Sequence, residues 1–164
     1  MEKTVRIAII GIGGMGKKYA IMINDGMIPR MKLAAVCARS RENKEWAREN
    51  LNEDVKFYDD SDSLFNNKED FDAVLIATPH KLHPEEAIRA FEAGMHVLCE
   101  KPSGVSIGDA RRMEAAAAAA DRKYAMMFHN RTFPVFKTLK KLLDENAIGR
   151  INRVILENSI YYRT

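Results

Sequence analysis

Cysteine is scarce in this chain: Cys37 and Cys99 are the only two among 164 residues. Both sit at the ends of apolar, strand-like runs. Two isolated thiols make neither a disulfide framework nor a metal-ligand cluster, and they suit a reducing compartment. No metal site is therefore expected, and a cytoplasmic location is. Long apolar runs are missing too, none approaching the roughly 20 residues of a membrane-spanning helix. The opening stretch "MEKTVRIAII" has a short apolar run that leads into glycines, not into a signal-peptide cleavage site. Net charge is only +3, with no long lysine or arginine run, so the basic excess is no nucleic-acid footprint. Neither membrane nor nucleic acid is expected as a partner.

What remains is the balance of a globular protein, 46% hydrophobic and 30% charged, at a length that suits one ordinary domain. Short apolar runs alternate with helix-like segments. Val5–Ile10 reads as a buried strand, followed by glycines and a helix from about Met15 to Asp25 that Gly26 stops. Leu33–Cys37 is a second strand, and Ser40 caps a helix running to about Leu51. Val55–Tyr58 and Phe71–Ala77 are the third and fourth strands. Pro84 opens a helix that ends before Gly94, and Met95–Cys99 is the fifth strand. Ser106 and Asp109 form a capping box before the alanine-rich helix through Lys123. Tyr124–Phe128 is the sixth strand, and Pro134–Asn146 a helix ended by Gly149. This alternation implies a doubly wound α/β fold, a parallel Rossmann sheet in the order 3-2-1-4-5-6. The tail differs. Ile151 to about Tyr162 reads as a long strand with no partner after it, which could not be stable alone. It is expected to begin a second sheet.

Four groups of residues carry chemistry. Gly11-Ile12-Gly13-Gly14-Met15-Gly16 places a G-x-G-x-x-G pattern between a strand and a helix, the setting of a dinucleotide fingerprint. Its first glycine permits the turn, its second admits a pyrophosphate, and its third lets helix and strand pack closely. After the second strand, an acid would select NAD. Ala38-Arg39-Ser40-Arg41 offers two arginines instead, which suit the 2′-phosphate of NADP. The opposing reading makes both arginines solvated and Ser40 only a cap. Ala77-Thr78-Pro79 and His83 follow the fourth strand, and His83 either lines the cofactor site or precedes the helix. Glu100-Lys101-Pro102 follows the fifth strand, and Asn130-Arg131 the sixth. All these groups fall after the carboxyl ends of parallel strands, the edge where such sheets bind ligands.

"GIGGMG", "ATPHKLHPEEAIRAFEAGMHVLCEKP" and "NRTFPVFKTLKKLLDENAIGRI" together resemble the Gfo/Idh/MocA oxidoreductases, over essentially the whole chain. Ala93 to Pro102 is the most specific stretch. The resemblance implies an NAD(P)-binding Rossmann domain over residues 1–130. Residues 131–164 would be the linking helix and first strand of a truncated second α/β domain, which in the family binds substrate and forms oligomers. It implies hydride transfer between NADP, preferred over NAD, and a sugar- or polyol-like substrate, with Lys101 catalytic at the nicotinamide. Glu100 would pair with that lysine or orient it. The family's acid/base histidine would lie outside this chain, and a homo-oligomer is expected. His80 stands where many members have asparagine. A non-catalytic dinucleotide sensor of the same fold is the alternative, with a methyltransferase third.

Overall fold

The computed structural model describes residues 3–157. The chain divides into two units between Met127 and Phe128. In the first, six parallel strands pair in the order β3-β2-β1-β4-β5-β6. They are β1 (Val5–Ile10), β2 (Met31–Cys37), β3 (Lys56–Tyr58), β4 (Ala73–Ile76), β5 (His96–Cys99) and β6 (Tyr124–Met126). The helices are α1 (Gly14–Asn24), α2 (Arg41–Asn50), α3 (Ser61–Asn66), α4 (His83–Glu92) and α5 (Ile107–Ala119). The doubly wound α/β architecture read from the sequence is the one observed.

The strand sequences explain the layering. Val5–Ile10 lacks polar/apolar alternation because both faces of β1 are covered. Ala8 and Ile10 enter a core with Leu64 and Phe65 of α3, Phe91 of α4 and Met113 of α5. Ile7 and Ile9 enter the opposite core with Ala20 and Ile23 of α1 and Ala47 of α2. Helix ends follow the sequence chemistry. Ser40 Oγ accepts from the Asn43 N–H, and the Ser106–Asp109 capping box is reciprocal. α3 was not legible in the sequence. It is a single short helix capped by Asp60, whose side chain accepts from the Ser63 N–H.

At the sheet edge opposite the glycine loop, Asp72 accepts from the Arg6 backbone N–H at 2.8 Å, from Arg6 Nε at 3.2 Å and from Lys3 Nζ at 2.9 Å. Burial alone would raise its pKa, but these hydrogen bonds outweigh burial and hold the carboxyl well below the usual carboxylate range. A depressed carboxyl contributes stability above its unfolded-state pKa and loses it as pH falls toward the folded value. Asp72→Asn is therefore expected to cost about 1–3 kcal/mol near neutral pH. It should also flatten the acid limb of a pH series of urea melts. An unchanged acid limb would remove Asp72 from the account.

In the second unit, a 3-10 turn at His129–Thr132 leads into α6 (Pro134–Asp144). The Phe133 and Phe136 rings stack with centroids 6.5 Å apart, and Lys140 pairs with Asp144. The strand expected from Ile151 is absent from its described part: residues 151–157 have no regular structure, and 158–164 lie outside the described residues. A strand needs a ladder partner for its backbone groups, and none pairs with this segment among the described residues.

Candidate functional site

β1 runs into Gly11, whose φ of +97° is open to glycine and rarely to other residues. Its N–H donates to the Cys37 carbonyl at 3.0 Å, and the Ala77 N–H donates to the Ile10 carbonyl at 2.8 Å. The ends of β1, β2 and β4 are thereby fixed around one turn. A Cβ at Gly11 would stand 2.8 Å from the Ala77 carbonyl atoms, and one at Gly16 2.0 Å from the Gly11 carbonyl oxygen. Gly13 differs, because a Cβ there would meet nothing within 4 Å. That open side lies at the N-cap of α1, whose first turn carries no acid and presents free N–H groups.

The crevice above this turn has a volume of about 380 Å³. It brings together Gly11, Ile12, Gly13, Ala38, Arg39, Ser40, Ala77, Thr78 and Pro79, as the sequence suggested. Asn43, Ser61, Leu82 and Glu86 join them without having been foreseen. No acid stands at the end of β2. Arg39 lines the crevice and has no ion-pair partner among the described residues, although Asp60 lies within electrostatic reach. Arg41, in contrast, pairs with Glu45 along α2 at 2.6 Å and is 92% exposed. α2 begins at Arg41, and the helical backbone turns that side chain along its own face. Gly14, Met15 and Gly16 lie in the first turn of α1 and are not among the residues that line the crevice.

His83 is fully buried and holds two turns together. Nδ1 lies 2.7 Å from the Pro102 carbonyl oxygen and Nε2 lies 2.8 Å from that of Thr78. Carbonyls only accept. A neutral ring bonds one of them at a time, whereas an imidazolium bonds both. His83 thus braces the β4 and β5 turns from beneath and is not among the residues lining the crevice. Pro102 follows a cis peptide bond. Glu100 is 7% exposed. One carboxylate oxygen accepts from the Tyr19 hydroxyl of α1, and the other accepts from the Lys101 backbone N–H at 3.0 Å. Burial, then the Glu100 hydrogen bond and charge, push the Tyr19 phenol pKa up. The expected Glu100–Lys101 side-chain pair is not formed. Lys101 is exposed, with no hydrogen-bond partner for Nζ among the described residues. Burial, followed by the Glu86 charge, pushes the Cys37 thiol up to about 12, and burial with Glu100 does the same for Cys99. Both thiols are buried, and the shift favours their neutral form. Asn130 and Arg131 belong to the second unit, where Arg131 stacks over Phe128 at 5.0 Å.

The family described as "Oxidoreductase family, NAD-binding Rossmann fold", Gfo/Idh/MocA, matches residues 5–128, over half of the chain. The chain belongs to the Gfo/Idh/MocA family. Among its relatives, 2,7-anhydro-N-acetylneuraminate hydratase of Mediterraneibacter gnavus is 32% identical over 91% of this chain and 38% of that protein. Inositol 2-dehydrogenase 1 of Saccharopolyspora erythraea is 31% identical over 89% of this chain and 43% of that protein. Scyllo-inositol dehydrogenase of Lactobacillus casei, solved with bound NAD(H) and scyllo-inositol, superposes with a TM-score of 0.82 at 31% identity. It covers 90% of this chain and 43% of the solved one. The chain therefore spans about two fifths of the length of the relatives it matches.

The Gfo/Idh/MocA assignment accounts for the NAD-binding Rossmann sheet and the glycine turn. Tyr19 could be read from sequence only as one more residue of α1, since its partner lies 81 positions away. Among the described residues no group of histidine, cysteine and acidic side chains could hold a metal, and no helix is long and apolar enough to cross a membrane.

Proposed function

We propose that the protein is an oxidoreductase that binds NADP in preference to NAD and acts on a sugar- or polyol-like hydroxyl or carbonyl. On this reading residues 1–130 are its cofactor-binding domain and residues 131–164 begin its substrate domain. The observation that carries the proposal is Arg39, a guanidinium lining the crevice at the end of β2 with no ion-pair partner among the described residues, where an NAD-selecting acid would stand. The names of the relatives, inositol dehydrogenases and a sialic-acid-derived hydratase, support the substrate class.

The residues present fit a dinucleotide. Gly13 leaves room for close phosphate approach, the α1 N-terminus supplies N–H donors, and the Thr78 hydroxyl is buried without a hydrogen-bond partner among the described residues. Arg39, Ser40 and Asn43 would hold the 2′-phosphate, and Arg41 would add only long-range charge. Glu100, anchored by Tyr19, fixes the backbone from which Lys101 extends. Lys101 would stabilise charge on the reacting oxygen or move its proton. When bound, the dinucleotide supplies or accepts the hydride. Glu100, Pro102 and His83 act on the site by holding the lysine's turn. Asn130 and Arg131 are proposed as further cofactor ligands from their place in the sequence after the sixth strand.

Arg39→Ala is expected to weaken NADPH binding about ten- to hundredfold, the worth of a charge-assisted contact. NADH binding should change less than about threefold by the same reasoning, since no 2′-phosphate is lost. Calorimetric titration reads both. Tighter wild-type binding of NADH than of NADPH would refute the preference.

A further inference from the structure

Glu86 is a buried carboxylate in the wall of a nucleotide crevice, 5% exposed. Its two oxygens differ. Oε1 accepts from the Ser61 hydroxyl at 3.0 Å, and Ser61 is itself 4% exposed. Oε2 is buried with no hydrogen-bond partner among the described residues. The nearest cation, Arg89 Nη1, stands 4.0 Å from Oε2, beyond hydrogen-bond range, and is spent on Ser61 Oγ at 3.2 Å. The other end of that guanidinium is taken by Asp62. A dry carboxylate oxygen left unbonded is costly, and no donor among the described residues meets this one.

The route of the ligand identifies the donor. With the pyrophosphate at Gly13 and the 2′ position at Arg39, the base lies one sugar further along the crevice. The crevice is lined by the apolar side chains of Ala38, Ala77 and Leu82 and by the polar ones of Ser61 and Glu86. Adenine carries an exocyclic amine, an N–H donor, on the edge where hypoxanthine carries an oxygen acceptor. A carboxylate accepts from the first and repels the second. We infer that Glu86, set by Ser61 and charge-balanced by Arg89, is the residue that selects an adenine-containing dinucleotide by accepting from the base's exocyclic amine. The inference rests on the cofactor reading above and adds base selection to it.

The test compares NADPH with its hypoxanthine analogue, titrated into the wild-type chain and into Glu86→Gln, with circular dichroism to establish folding. Wild type is expected to bind the adenine form at least about tenfold more tightly, the worth of one matched donor against an acceptor facing a carboxylate. The amide introduced by Glu86→Gln can turn its nitrogen toward the hypoxanthine oxygen, so the ratio in the variant should fall within about threefold, partly through a gain for the analogue. Equal binding of the two dinucleotides by wild type would overturn the inference without any variant. An unchanged ratio in folded Glu86→Gln would also overturn it, and both outcomes leave the cofactor reading intact. Failure of wild type to bind either dinucleotide would overturn the cofactor reading, and this inference with it.

Discussion

Alanine at position 16 is expected to destabilise the domain by roughly 3 kcal/mol or more and to remove nucleotide binding with it. The added methyl would stand 2.0 Å from the Gly11 carbonyl oxygen, a backbone atom that cannot swing aside. Gly11 in turn is fixed by its bond to the Cys37 carbonyl and by contact with the Ala77–Thr78 backbone. Relief therefore requires α1 to lift from β1, which would open the core around Ile7, Ile9 and Ala20. Gly13→Ala is the control, because its methyl meets no protein atom within 4 Å. It should cost only about 1 kcal/mol, as an N-cap change. The same methyl occupies the approach of the pyrophosphate, so dinucleotide affinity should drop at least about tenfold. Urea melts and dinucleotide titrations on both variants separate the two roles. A Gly16→Ala protein that melts like wild type would show that the packing account is wrong.

Replacement of Lys101 by methionine is expected to lower turnover by about 10²–10⁴, the usual worth of a positioned acid or base. Cofactor affinity should stay within about threefold, because no cofactor-anchoring contact is assigned to Nζ. The physical basis is the anchoring of its backbone. Glu100 is buried, accepts from Tyr19 of α1, and accepts from the Lys101 N–H. His83 grips the Pro102 carbonyl on the other side. The lysine therefore extends from a turn fixed at two points, with its ammonium uncommitted among the described residues. Wild-type turnover in Lys101→Met would remove Lys101 from the chemistry, whereas a wild type that binds dinucleotide without any turnover would favour a sensor of this fold.

The sheet was legible because its information is local. Apolar runs of four to six residues, glycine after helices and proline before one of them mark the alternation, and alternation dictates the strand order. The glycine turn was legible because strand, pattern and helix are consecutive. What could not be read depends on distance or on single-residue rotation. Arg39 and Arg41 are chemically identical in the sequence. The start of α2 at Arg41 sends one along the helix to Glu45 and leaves the other facing the crevice. Nothing local in the sequence sets Glu86 apart from the neighbouring acid Glu85, and the packing of α4 on α3 brings it to Ser61. α3, six residues with the sequence SDSLFN, is too short to show an apolar period. The apolar run after Ile151 shows the opposite limit: strand-like composition specifies no strand without a partner to pair with.

The central claim is that one crevice, bounded by the glycine turn and Arg39, binds a nicotinamide dinucleotide phosphate. Fluorescence titration of this chain with NADPH tests it directly. Saturable binding of one NADPH per chain, weakened at least about tenfold by Gly13→Ala, is the predicted result. Absence of saturable binding by the folded wild-type chain, or binding that Gly13→Ala leaves unchanged, would contradict it.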